Sequence, residues 1–360
     1  MFELNDSSPK YHQLKEFIKG QILRGEILPG EKLTSENALA REFKLSRHTV
    51  RQALGELENE GLIYREKGRG TFCGFSGKNK VKNIAVLTTY ISDYIFPPII
   101  RGIEEVLSNN GYNLILANTN NDKTKEAQCL ENFLNQEIDA LIIEPTKSAL
   151  ENTCINYYKE FAAKGIPYLM LHAYYPDLKP AYIIMDDNQG AHLVTNYLLQ
   201  LGHRRIAGIF KTDDQQGVKR QAGFLSALKE YNITENPAWI GNYTTESLRT
   251  YPYQFIQNLL QQDIRPTAIV CYNDQVALEI LEAIRNEGLK VPDDLSVVGF
   301  DDSSLATATE IKLTTIKHPK AKMGRQVGNN IIRMLTSSSV EKPCFIYPSE
   351  LIIRSSCRNI

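Results

Sequence analysis

Two hydrophobic rhythms divide the chain. Near the N-terminus, apolar residues recur at Val50, Ala53, Leu54 and Leu57, then Leu62, the spacing of one buried helical face. Ser46 stands where its hydroxyl can accept from an orphan backbone N–H and start that helix, and Gly61 can end it in the left-handed region. A shorter helix is expected over 35–43, with Leu39, Ala40 and Phe43 on its apolar side. Lys44 and Leu45 alone join the two, which forces them to cross sharply. Two short apolar runs, 62–64 and 71–73, then flank Arg65-Glu66-Lys67-Gly68-Arg69-Gly70, the pattern of a hairpin with a cationic glycine turn.

After a Gly/Lys/Asn linker over 75–83, the rhythm changes. Short apolar runs predict strands at 84–88, 114–117, 140–143, 168–171, 183–185, 206–210, 268–271 and 297–300. Helical segments such as 98–110 and 188–201 lie between them. Strand–helix alternation of this kind predicts a parallel α/β architecture. The length of 84–360 suits two similar lobes with a cleft between them. The expected organisation is a winged helix-turn-helix over 1–74, the linker, and a two-lobed α/β unit over 84–360.

Composition narrows the compartment and the class. A chain of 360 residues exceeds what one core serves, so several domains are expected. No apolar run approaches the roughly 20 residues that span a bilayer, and the first residues lack a secretory pattern. Cys73, Cys129, Cys154, Cys271, Cys344 and Cys357 form no CxxC and no cluster with histidine, so reduced thiols in a cytoplasmic protein without a metal site are expected. The formal net charge is −1, and residues 1–74 carry 12 Lys and Arg against 11 Asp and Glu. A nucleic-acid surface therefore has to come from placement.

Placement supplies one. Arg47, His48, Thr49 and Arg51 share the exposed side of the second helix near its N-terminus, the geometry with which a helix-turn-helix reads the major groove. Lys67 and Arg69 flank Gly68 in a turn where the sequence suggests few acidic partners, suited to the adjacent minor groove. In the second unit, ligands bind beyond the carboxyl ends of parallel strands. Tyr90, Asp93 and Phe96 follow the first strand there. Glu144, His172, Asp186, Lys211, Asp274 and Asp301 follow others. Aromatic faces among carboxylates, amides and cations suit a polyhydroxylated ligand. Each residue also has a plainer reading: a basic helix face is usually only solvated, Asp301 could cap a helix, and Arg220 could be a surface charge. Order and repetition favour the DNA and ligand readings.

An enzyme finds no support. There is no nucleophile elbow, P-loop, HExxH or GxGxxG, and the adjacent Asp301-Asp302 pair cannot straddle a scissile bond. A transport solute-binding protein would need an export signal and would not carry a helix-turn-helix.

The stretch PGEKLTSENALAREFKLSRHTVRQALGELENEGLIYREKGRGTFC, within residues 10–73, closely resembles the GntR-type winged helix-turn-helix. The resemblance implies Glu36, Arg47, Thr49 and Arg51 at the DNA and Lys10 near a phosphate, with His48 on base or backbone. It puts Lys67, Arg69, Gly70 and Thr71 in the wing. Thr34 stands where that family often has proline. The segments IAVLTTYISDYIFPPIIRGIE, IMDDNQGAHLVTNYLLQLGHRRIAGIF, GVKRQAGF, PTAIVCYNDQVAL, DLSVVGFDD and LTTIKHP resemble the LacI/GalR-type regulatory domain from about residue 83 onward. That implies a fold like periplasmic sugar-binding proteins, closing on a small effector. Tyr90, Asp93, Phe96, Arg220, Asp274 and Asp301 would be its contacts. Glu144, His172, Asp186 and Lys211 stand at lining positions that vary with ligand. The joined pair resembles the arabinose-repressor type, implying a homodimer on palindromic operator DNA, released by L-arabinose between the lobes. The residues by themselves reach only a DNA-binding regulator, repressor or activator, with a small polar effector.

Overall fold

A computed structural model of the chain describes residues 9–74, 82–92, 94–337 and 341–360. The chain divides into two compact units, Met1–Val81 and Lys82–Ile360.

The first unit has helices α1 (Lys10–Leu23), α2 (Glu36–Glu42) and α3 (Arg47–Asn59), then strands β1 (Ile63–Glu66) and β2 (Gly70–Cys73). Ser35 and Ser46 cap α2 and α3 by accepting from Ala38 N at 3.3 Å and Thr49 N at 3.1 Å. Lys44, at φ 52°, makes the sharp corner between them, and Gly61 at φ 72° ends the segment after α3. Leu14, Val50, Leu54 and Leu57 are fully buried and, with the buried Leu39 of α2, hold the three helices together. Each such side chain contributes about 1.5–3 kcal/mol on burial. The hairpin pairs Ile63 with Cys73 and Glu66 with Gly70. Its strands reach closer to the turn than the apolar runs indicated, because backbone pairing continues through Arg65 and Glu66 whatever their polarity.

The second unit is two parallel α/β lobes. In the first are β3 (Lys82–Thr88), α4 (Phe96–Asn109), β4 (Tyr112–Asn118), α5 (Lys123–Leu134), β5 (Ala140–Ile143), α6 (Ile155–Ala163), β6 (Tyr168–Leu171) and β7 (Ala181–Met185). In the second are α7 (Asp187–Gln200), β8 (Ile206–Lys211), α8 (Gln215–Glu230), β9 (Ile240–Tyr243), α9 (Tyr251–Leu260), β10 (Ala268–Cys271), α10 (Asp274–Asn286) and β11 (Ser296–Val298). After β12 (Thr315–Ile316) the chain returns to the first lobe as α11 (Lys320–Thr336) and β13 (Cys344–Tyr347), and β14 (Leu351–Ile352) pairs antiparallel with β12. The sheets run β13-β7-β6-β5-β3-β4 and β11-β10-β8-β9, all parallel. The chain thus crosses between lobes three times, after β7, before α11 and after β13. Helices α7 and α8 pack so closely that a Cβ on Gly223 would lie 2.1 Å from Asn188 O, which is why glycine stands there.

Some expectations shift. Lys82 and Asn83, assigned to the linker, belong to β3, since their backbone pairs with Tyr112 and Asn113 of β4. Residues 75–81 lie outside the described residues. β11 ends at Val298 rather than residue 300, because Gly299 N turns to Thr314 O and Phe300 O accepts from Asp274 N. Strands β9, β12, β13 and β14 were not expected from the sequence, although Cys344–Tyr347 and Leu351–Ile352 are themselves apolar. Residues 344–346 of β13 lie exposed at the sheet edge, and Asn242 interrupts β9. No described helix is long and apolar enough to cross a membrane.

Candidate functional site

A cavity of about 590 Å³ lies between the lobes, where strand ends from both converge. The first lobe contributes Tyr90, Tyr94 and Phe96 after β3, Glu144 after β5 and His172 after β6. The second contributes Lys211 at the end of β8, Asp214 and Arg220 at the start of α8, Tyr272 and Asn273 after β10, and Asp301. His318 enters from the segment that recrosses before α11, and Asp187 from the start of α7.

Arg220 organises the second-lobe wall. Its Nε donates to Asp187 Oδ1 at 2.8 Å, Nη2 to Asp301 Oδ1 at 3.2 Å and Nη1 to Tyr272 O at 2.7 Å. The guanidinium lies 3.6 Å from the Phe300 ring centroid, stacked in the cation–π manner. Burial works against its charge, but Asp301 and Asp187 outweigh burial and hold it firmly protonated. The same logic keeps Lys211 charged: burial opposes, while Asp214 and Asp213 raise its pKa.

The first-lobe wall is a relay. Glu144 accepts from Thr89 N at 2.9 Å and from His172 Nδ1 at 2.7 Å. Burial pushes the Glu144 carboxyl up, but His172 and Thr89 hold it below its usual range. With Nδ1 on the Glu144 carboxylate, His172 turns Nε2 to His318 Nε2 3.1 Å away, one ring donating to the other. Burial, then His172, lower the His318 pKa well below the usual value, so its ring is neutral. Between the lobes, the Tyr94 hydroxyl donates to Asp301 Oδ2 at 2.8 Å and accepts from Asp274 N at 3.2 Å. Tyr94 holds φ 63°, backbone strain of the kind found at binding sites.

Two sequence candidates do not line the cavity. Asp274 is fully buried behind the wall, where its carboxylate accepts from Ser303 N at 2.7 Å, Ser303 Oγ at 2.9 Å and Thr315 Oγ1 at 2.7 Å. Burial raises its pKa to about 7. It braces the loop carrying Asp301, and its neighbour Asn273 lines the cavity instead. Asp186 caps α7 by accepting from Gln189 N at 3.0 Å, and Asp187 faces inward. At α7 the N-cap turns away and the first helical residue, Asp187, faces the cavity, whereas at α10 the N-cap Asn273 faces the cavity and the first helical residue, Asp274, is buried. Asp93 lies outside the described residues. Asp214, Tyr272 and His318 are absent from the sequence candidates, and Tyr94 and Asp187, which follow β3 and β7 among the strand-end residues, were not chosen as contacts. His318 stands in the quoted LTTIKHP stretch, the one signal that marked it.

In the first unit, Arg47, His48 and Arg51 are exposed along the start of α3, and the half-buried Thr49 holds Ser46 Oγ at 2.8 Å. Glu36 reaches Arg51 at 3.3 Å and Arg65 at 3.7 Å, so it orients two cations. Lys10 is exposed at the start of α1, and Lys67 and half-buried Thr71 border the hairpin turn. Arg69, expected to lack an acidic partner, pairs with Glu66, which the hairpin brings to the same side. At Gly70 (φ 128°) a Cβ would lie 2.6 Å from Lys32 Cε, so a further cation, absent from the sequence candidates, sits against the wing.

Two family profiles match: "Bacterial regulatory proteins, gntR family" over residues 10–73 and "Periplasmic binding protein-like domain" over 195–357. The chain is 49% identical over 358 residues to the arabinose metabolism transcriptional repressor of Geobacillus stearothermophilus, covering 98% of each protein. The chain belongs to this repressor family. A second relative of the same name, from Halalkalibacterium halodurans, is 46% identical, with 96% of each chain covered. Among solved structures, a LacI family transcriptional regulator from Enterococcus faecium, with bound ribose, matches at a TM-score of 0.67 and 26% identity. The match covers 78% of this chain and all of that one. This repressor is thus a DNA-binding regulator with a sugar-sensor fold, and not an enzyme.

Proposed function

We propose that the repressor acts as a homodimer on palindromic operator DNA at arabinose-utilisation genes and is released when L-arabinose occupies the interlobe cavity. The pairing of its buried charges carries the sugar reading. Arg220 and Lys211 are each held by carboxylates, so these two buried cations offer charge-assisted hydrogen bonds to neutral hydroxyls, while the exposed Arg249 also lines the cavity. Tyr90 and Phe96, with rings 5.8 Å apart, supply apolar faces for sugar C–H surfaces. Tyr90, Asp93, Phe96, Glu144, His172, Lys211, Arg220 and Asp301 act as effector contacts, joined by Asp187, Asn273 and His318. The names of the relatives, arabinose metabolism transcriptional repressors, support arabinose among the sugars. Calorimetry with L-arabinose, D-ribose, D-xylose and their phosphates tests this. L-arabinose should bind most tightly and the phosphates should be silent; a phosphate binding more tightly would overturn the assignment.

On DNA, Arg47, Thr49 and Arg51 read base edges and phosphates, with His48 beside them, Glu36 orienting Arg51, and Lys10 on a phosphate. Two copies of α3 then meet half-sites roughly 34 Å apart. In the wing, Lys67 acts through its charge, next to Gly70 and Thr71. Lys67→Ala should lower the slope of log affinity against log salt by about one unit. Arg69→Ala should lower it less, because Glu66 already neutralises that side chain. Equal slopes for wild type and Lys67→Ala would reduce the wing to a structural hairpin.

A further inference from the structure

The lobes are joined by more than their three chain crossings. In the first lobe, the turns after β4 and β5 carry Asn121 and Ser148 against the second lobe. Asn121 Nδ2 donates to Thr245 Oγ1 at 2.7 Å and lies 3.4 Å from Asp214 Oδ1, while its Oδ1 accepts from Lys147 N at 2.8 Å. Thr245 in turn donates its N–H and hydroxyl to Asp213 Oδ2 at 2.9 and 2.6 Å. Gln215, opening α8, donates from its backbone N to Ser148 Oγ at 2.9 Å and from Nε2 to Ser148 O at 3.0 Å and Tyr174 O at 2.9 Å. Asn121 is 1% exposed and held at φ 55°, a conformation asparagine tolerates better than most residues.

These bonds lie on loops that are not crossing segments, so they must break for the cleft to open. Asn121, Ser148 and Gln215 do not line the cavity. The Gln215 bonds, whose acceptors on Ser148 and Tyr174 also lie outside the lining, therefore distinguish closed from open lobes without touching the ligand, whereas the Asn121 bonds end on Thr245 and Asp214, which line the cavity.

We propose that Asn121 and Gln215 are positioning residues for the effector, forming an interlobe latch that sets the closed fraction and hence the apparent sugar affinity. The proposal rests on the reading of the cavity as the sugar site. A ligand that needs the closed form binds with its intrinsic constant divided by the fraction closed, so weakening the latch raises the dissociation constant. Gln215→Ala loses two neutral interlobe hydrogen bonds, and Asn121→Ala loses one neutral bond and a longer one to the Asp214 carboxylate, which corresponds in each case to a rise of roughly 5- to 50-fold. Once sugar saturates, the lobes are closed in either protein, so release from the operator should reach the same plateau.

The test uses full-length wild type, Asn121→Ala and Gln215→Ala, with thermal melting to confirm folding. Gln215 sits in regular helix, so its variant serves if the left-handed turn at Asn121 rejects alanine. L-arabinose is titrated by calorimetry, and operator release is followed by fluorescence anisotropy. A raised dissociation constant with an unchanged plateau supports the latch. A constant within twofold of wild type, or a lowered plateau, overturns it. Wild type that binds no L-arabinose would instead overturn the cavity reading itself.

Discussion

Arg220→Ala should abolish L-arabinose binding and lower the stability of the two-lobed unit by about 3–5 kcal/mol, the cost of breaking a buried ion pair from one side. The guanidinium satisfies Asp187, Asp301 and Tyr272 O at once and fills the space over Phe300. Without it, two carboxylates at 2% and 3% exposure lose their counter-charge. Arg220→Lys restores a charge but not the planar fork, so it should recover part of the stability and little of the sugar affinity. Urea unfolding and calorimetry measure the two effects separately. A variant that melts like wild type would show that Asp187 and Asp301 are satisfied by groups other than Arg220.

The second large effect concerns DNA. Arg51→Ala should weaken operator binding by about 1–3 kcal/mol, or roughly 5- to 150-fold, while leaving affinity for a scrambled duplex nearly unchanged. The side chain of Arg51 is 64% exposed and meets Glu36 at 3.3 Å, a surface pair that contributes little to folding. Loss of operator affinity with both the melting temperature and the scrambled-duplex affinity unchanged is therefore the signature of a base contact. Equal losses on both duplexes would reassign Arg51 to the phosphate backbone.

What could be read from the sequence follows from which forces act locally. The helix α3 was legible because its cap, apolar stripe and terminal glycine all lie within 17 residues, 46–62. The central strands were legible because burial on both faces leaves continuous apolar runs. Among the edge strands, β4 and β11 were legible by their apolar runs, β9 was not because Gly241 and Asn242 break its run, and β13 was not picked out although Cys344–Tyr347 is apolar. At the site, the pattern located the strand ends but could not fix the rotation at each corner. Asp186 and Asp187 are adjacent, and only the start of α7 decides which caps the helix and which meets Arg220. Asp274 carried the right chemistry at the right place, yet Ser303 and Thr315 claim its oxygens from segments 29 and 41 residues away. The His172–His318 contact joins residues 146 apart, a pairing that periodicity cannot express.

The operator dissociation constant, measured with and without saturating L-arabinose at fixed physiological salt, tests sugar-driven release most directly. Coupling between two sites on one protein is typically about 1–3 kcal/mol, so L-arabinose should weaken operator binding by roughly 5- to 150-fold. By reciprocity, operator DNA should weaken L-arabinose binding by the same factor. An operator constant that is the same with and without the sugar would contradict release by L-arabinose.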